Sequence, residues 1–181
     1  MVYRSLKSSL RAAGFSLIEL LGCISISAAL LFSVIPQLDF MLTSSMLETR
    51  VNSLSRALKE AKLAAIKYNS EIVICSLQPS QFSCVDDINA PEVWSEGWIV
   101  FEDKNSNKRF DGKERLILSD RFDSSQCQLL WNRGGSLSYY RFGVLKGARA
   151  GSFKITCGKL QTQLVINWVG RVRKKTNTYS D

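Results

Sequence analysis

Between Asp103 and Glu114 the chain reads DKNSNKRFDGKE. Five oxygen-bearing side chains, Asp103, Asn105, Asn107, Asp111 and Glu114, fall at positions one, three, five, nine and twelve of a calcium loop. Position six, where such a loop uses glycine to make its turn, is Lys108. The flanking segments read as strands rather than helices, and Lys104, Lys108, Arg109 and Lys113 oppose a dication. Asn and Asp also gather in tight turns for purely backbone reasons. The stretch is therefore read as a β-turn, with no metal assigned.

Other reactive constellations are scarce. The chain has no histidine, which removes the usual general base and a common metal ligand. No glycine-rich phosphate loop occurs. The neighbouring carboxylates Asp86 and Asp87 lie in a loop-like stretch and read as solvated. No CxxC spacing is present, which argues against a zinc ribbon or a thioredoxin-like site. The expectation is a protein that is not an enzyme and carries no cofactor and no metal.

Basic side chains are the stronger signal. The formal net charge is +8, but it is unevenly spread. From Phe40 to Asn132 there are eleven Lys/Arg and thirteen Asp/Glu, whereas from Arg133 to Asp181 there are ten Lys/Arg and one acid. A solvated face normally mixes both signs; this one creates a positive field suited to a polyanion. Two places concentrate it. GRVRKK, Gly170 to Lys175, is read as the end of the last strand. There, alternation sends Arg171 and Arg173 to one side, Gly170 permits close backbone approach, and Lys174 and Lys175 extend the patch. GVLKGARAG, Gly143 to Gly151, is a glycine-rich loop carrying Lys146 and Arg149. These side chains suit phosphate oxygens without reading base sequence.

One more charge stands out. Glu19 is the only ionisable group besides the Cys23 thiol in the 21-residue apolar run Phe15–Ile35. At 1.5 Å per residue such a run spans a bilayer, and an unpaired charge there is costly. Arg4, Lys7 and Arg11 precede the run without an acid, which keeps the N-terminus cytoplasmic and exports the remainder. A cleavable secretory signal fits poorly, because the run is long and no clear cleavage site follows it. A plain single-pass anchor leaves Glu19 unexplained.

Export permits disulfides. Cys75, Cys84, Cys127 and Cys157 allow three pairings, or could remain free thiols. The favoured pairing is Cys75 with Cys84, closing a hairpin, and Cys127 with Cys157, joining two later strands.

The elements that must position these groups follow from periodicity. Leu47, Val51, Leu54, Leu58, Ala61 and Ala65 form one apolar helical stripe, with Glu48, Arg50, Asn52, Arg56, Lys59 and Glu60 on the other faces. From Ser70 the period changes. EIVICSL, GWIVFED, ERLILSD, CQLLWN, SLSYYRF, FKITC and QLVINWVGRVR are short, β-branched and aromatic segments. The expected fold class is α+β: a long N-terminal helix packed on a C-terminal antiparallel β-sheet domain. The expected divisions are a leader at 1–14, a transmembrane half-helix at 15–36, an amphipathic half-helix at 37–69, a β-rich domain at 70–175 and a loose polar tail at 176–181.

GFSLIELL, Gly14 to Leu21, resembles the type III signal of type IV pilins and pseudopilins. The resemblance implies that a prepilin peptidase cuts after Gly14 and that the new N-terminal Phe15 is methylated. Glu19 becomes the fifth mature residue and pairs with the amine of a neighbouring pilin, and Pro36 stands where pilins often carry a helix-kinking proline. The strand order and GWIVFEDKNSNKRFDGKERLIL are similar to the minor-pilin group that includes the FimT and GspH proteins. GRVR resembles the C-terminal GRxR motif of FimT-type minor pilins, which implies binding of double-stranded DNA in natural transformation. The implied partners are double-stranded DNA, other major and minor pilins, the peptidase and the inner membrane, with the globular domain periplasmic and the protein in the pilus after assembly. A GspH-like role as a structural tip component of a type II secretion system is the alternative.

Overall fold

The computed structural model describes residues 15–78, 84, 92–148 and 150–179. Gly14 and the leader, the pair Asp86 and Asp87, and Arg149 lie outside the described residues. The chain forms two compact units, Met1–Phe40 and Met41–Asp181. One helix, α1 (Leu17–Tyr68), supplies the described part of the first unit and the opening of the second.

In the first unit the apolar side chains are turned outward. Phe15, Leu17, Ile18, Leu20, Leu21, Ile24, Ile26 and Leu30 are all exposed. Among the described residues no helix is long and apolar enough to cross a membrane.

In the second unit the predicted stripe becomes the centre of the core. Leu47, Val51, Leu54, Leu58, Ala61 and Ala65 are buried, together with Ala57 and Ala64. The small residues Ala57, Ala61, Ala64 and Ala65 belong to the same buried face. Arg50 departs from its expected solvent face. It is buried, lies 3.7 Å over the Phe122 ring and donates from Nη2 to the Asp123 carbonyl at 3.1 Å. A long guanidinium can cover apolar surface in this way while its head is hydrogen-bonded.

Among the described residues nine strands form two antiparallel sheets: β1 (Ile72–Ser76), β2 (Glu92–Val93), β3 (Gly97–Glu102), β4 (Leu116–Arg121), β5 (Gln128–Trp131), β6 (Ser136–Tyr139), β7 (Gly151–Cys157), β8 (Leu160–Ile166) and β9 (Val172–Tyr179). The first sheet has the order β4-β3-β1-β6 and the second β2-β5-β7-β8-β9. Alternation assigns the faces. Ile72, Ile74, Trp98 and Val100 join the helix core, whereas Val73, Cys75, Ile99 and Phe101 form a second cluster with Leu77 and Cys84. The Cys75–Cys84 disulfide lies in that second cluster, and Cys127–Cys157 ties the start of β5 to the end of β7.

Two sequence expectations change here. QLVINWVGRVR is not one strand: it breaks at Asn167–Gly170 into β8 and β9. The apolar run hid a turn marked by Asn167, whose side chain accepts from the Arg171 N–H, and by Gly170, held at φ 72°. In consequence GRVRKK opens the last strand instead of closing it, and the supposed polar tail is strand as far as Tyr179.

Candidate nucleic-acid interface

The turn that carries Arg171 is clamped from three sides. The Gly170 N–H donates to the Asn167 carbonyl at 2.8 Å, and Asn167 Oδ1 accepts from the Arg171 N–H at 2.8 Å. Lys62 of α1 donates from Nζ to the Val169 carbonyl at 2.8 Å, and the Leu145 N–H donates to the Trp168 carbonyl at 3.0 Å. A Cβ on Gly170 would stand 2.6 Å from the Tyr139 ring and 3.1 Å from the Gly143 carbonyl. Packing therefore accounts for this glycine, where the sequence suggested backbone access for a ligand. Lys62 is a positioning residue that the charge count alone could not distinguish from its neighbours.

Pairing registers then sort the cations. In β8, Leu160, Thr162, Leu164 and Ile166 are buried, and Gln161, Gln163 and Val165 point the other way. Cross-strand partners share a face. Arg173 pairs with Val165 and Lys175 with Gln163, so both belong to the outer face, and both are exposed. Lys174 pairs with Leu164 and belongs to the helix-facing side, where its Nζ makes an ion pair with Glu48. The four basic residues of GRVRKK are thus divided: Arg173 and Lys175 share the outer face, Arg171 is exposed on the turn just before β9, and Lys174 is drawn off and neutralised.

Lys154 completes the outer face. It is exposed on β7, and the registers Lys154↔Gln163 and Gln163↔Lys175 place it in one row with Lys175, two strands or about 9.6 Å away. Sequence reading counted this lysine but could not place it, because the row depends on pairing register. Arg133 reaches the same end of the sheet, donating from Nε to the Ala150 carbonyl at 3.1 Å. No Asp or Glu occurs anywhere in β5, β7, β8 or β9. The face also carries Leu130 and Val165, and its neutral polar members Gln128, Ser152, Thr156, Gln161 and Gln163 can donate hydrogen bonds to an anion.

Lys146 does not join this face as a free cation. Its Nζ donates to both carboxylate oxygens of Glu71, at 2.9 and 2.6 Å, and that hydrogen bond holds its pKa above the ordinary lysine value. The loop around it is less open than its glycines suggested: Lys146–Ala148 form a short 3-10 turn, and Leu145 bridges to Tyr139. Exposed aromatic rings flank the hairpin turn, with Tyr140 and Phe142 on the neighbouring loop and Trp168 on the turn itself.

In the first unit, Glu19 is engaged within its own helix. Its Oε2 accepts from the Ser16 N–H at 2.9 Å, while Ser16 Oγ accepts from the Ile18 N–H at 3.3 Å. This is a capping arrangement that satisfies donors of the first turn.

The long helix packed on antiparallel sheets is matched by the comparisons. The family model described as Type II transport protein GspH matches residues 50–170. The chain belongs to this family. Two crystal structures of the type IV minor pilin FimU from Pseudomonas aeruginosa share the fold of this GspH-family chain. One is 14% identical with a TM-score of 0.55, covering 71% of this chain and 92% of that one. The other is 15% identical with a TM-score of 0.53, covering 74% and 90%. No curated protein matches the chain. The GspH-family chain is thus a minor pilin or pseudopilin of the FimT/GspH group, with a pilin-like α+β fold.

Proposed function

We propose that this protein is a minor type IV pilin that binds double-stranded DNA without sequence preference and serves DNA uptake in natural transformation. The reading rests on the outer face of the second sheet, where Lys154, Arg173 and Lys175 stand beside Arg171 on strands free of Asp and Glu. Such a face attracts a polyanion and orders it through phosphate contacts. The protein works as a binding and structural subunit, without catalysis. A prepilin peptidase removes residues 1–14, Phe15 is methylated, and the apolar run from Phe15 anchors the chain in the inner membrane until it enters the filament. There Glu19 leaves its local cap and pairs with the amine of a neighbouring pilin.

The test is a salt titration of DNA binding by the full chain in detergent, using duplexes of unrelated sequence. Similar affinities and a steep salt dependence are expected. Arg171→Gln with Arg173→Gln should lower the salt slope by about 2, one unit for each lost phosphate contact. Arg56→Gln with Lys59→Gln on the exposed side of α1 removes the same charge elsewhere and should leave binding nearly unchanged. An equal loss in that control would mean that net charge alone binds DNA. The family match favours one other reading, a structural tip component of a type II secretion system; absence of DNA binding at low salt would leave that reading in its place.

A further inference from the structure

The loop joining β3 to β4 holds two buried carboxylates that its own backbone only half satisfies. Asp103 is 3% exposed and Glu114 8% exposed. The Lys108 N–H donates to Asp103 Oδ2 at 2.9 Å, and the Lys104 N–H donates to Glu114 Oε1 at 3.1 Å. Both side chains are therefore drawn to the inside of the same loop. Their remaining oxygens, Asp103 Oδ1 and Glu114 Oε2, are buried without a hydrogen-bond donor. A buried, unpaired carboxylate oxygen is costly.

The objection raised by Lys108 disappears in the backbone. Lys108 adopts φ 60°, the left-handed conformation for which a calcium loop uses glycine at position six. A lysine there is strained, yet the turn is made. The side chains of Lys104, Lys108 and Lys113 are exposed, so these cations lie in solvent and do not fill the loop. Phe110 packs edge-on against Phe101, with ring centroids 5.5 Å apart, and fixes the loop to the second cluster.

We propose that the Asp103–Glu114 loop binds a calcium ion through oxygens of Asp103, Asn105, Asn107, Asp111 and Glu114. Among the described residues no three carboxylates or thiolates converge tightly enough to hold a metal on their own. The shell is therefore mixed: the two buried carboxylates supply charge, and the amide oxygens of Asn105 and Asn107, backbone carbonyls and water complete it. Calcium accepts six to eight oxygens in a flexible arrangement, whereas magnesium demands a near-ideal octahedron at shorter distances. The loop offers no His or Cys to a transition metal.

The experiment uses the full chain in detergent, stripped with a chelator and titrated with calcium chloride, with magnesium chloride as the comparison. Calorimetry should show one saturable site, and the melting temperature should rise with calcium by more than with equal magnesium. Asp103→Asn and Glu114→Gln should each weaken calcium binding at least tenfold. Because both are buried and their replacement could disturb folding, Asn107→Ala, on the exposed surface of the loop, is the second variant. It loses only the Arg109 N–H bond to Asn107 Oδ1, 2.7 Å long at the exposed surface, so it should stay folded with a slightly lower melting temperature in chelator and bind calcium several-fold more weakly. No saturable heat and no melting shift at millimolar calcium would overturn the proposal. So would an unchanged calcium affinity in Asn107→Ala and Asp111→Asn, which would put the ion elsewhere.

Discussion

Lys174 and Lys175 are adjacent in sequence and opposite in circumstance. Lys174 is committed to Glu48 of the helix, and Lys175 stands on the outer face beside Gln163. Lys175→Gln should therefore reduce the salt slope of DNA binding by about 1, whereas Lys174→Gln should leave it unchanged; two parallel titrations decide between them. Lys146 makes the same point. Lys146→Met should cost about 1 kcal/mol of stability in urea unfolding, because it strands Glu71 at a partly buried position. The Lys146 pKa is raised by its hydrogen bond to Glu71, so the ammonium's contribution persists through neutral pH and is lost only as the pH climbs past the ordinary lysine range. These distinctions were not legible in the sequence. Basic composition announced a polyanion surface, but which lysines are already spoken for depends on Glu48 and Glu71, 126 and 75 residues away in the chain.

At the scale of elements, the helix and most strands could be read directly, because their apolar periods are undisturbed. The stripe from Leu47 to Ala65 is buried as its spacing requires. The reading failed at β8 and β9, where Ile166, Trp168 and Val169 carry apolar character straight through a turn. Gly170 decides the matter through its left-handed backbone and its contact with Tyr139. Gly170→Ala should thus destabilise the domain by roughly 1–3 kcal/mol in urea unfolding. It should also weaken DNA binding, since the displaced turn carries Arg171. The disulfides act on the unfolded chain. Closing 30 residues between Cys127 and Cys157 is worth about 3.6 kcal/mol, and closing 9 between Cys75 and Cys84 about 2.6 kcal/mol, on the chain-entropy estimate. Replacing each pair by alanine should reproduce that order in denaturant midpoints.

Among the described residues, buried apolar side chains begin at Leu47, and the side chains described before it are exposed or, at Ala28, Thr43 and Ser44, half-buried. Such a division suits a subunit whose first part is meant for other surroundings than water. Mass spectrometry of protein from cells with an active prepilin peptidase should find Phe15 as a methylated N-terminus. Glu19→Val should insert into the membrane normally and fail to enter filaments, which pulldown with the sheared pili would register.

β9 ends its sheet in the order β2-β5-β7-β8-β9, and among the described residues its far side is unpaired. An open strand edge is a template for the same strand of another molecule. Arg173 and Lys175 lie along that edge, and like charges brought together there repel. The residues proposed to hold DNA would therefore also keep subunits from stacking edge to edge at the high local concentration of a membrane pool. Removing the charges would loosen that guard, and the Arg173→Gln, Lys175→Gln double variant of the domain from Met41 onward should sediment as larger species as concentration rises, with the wild-type domain remaining monomeric.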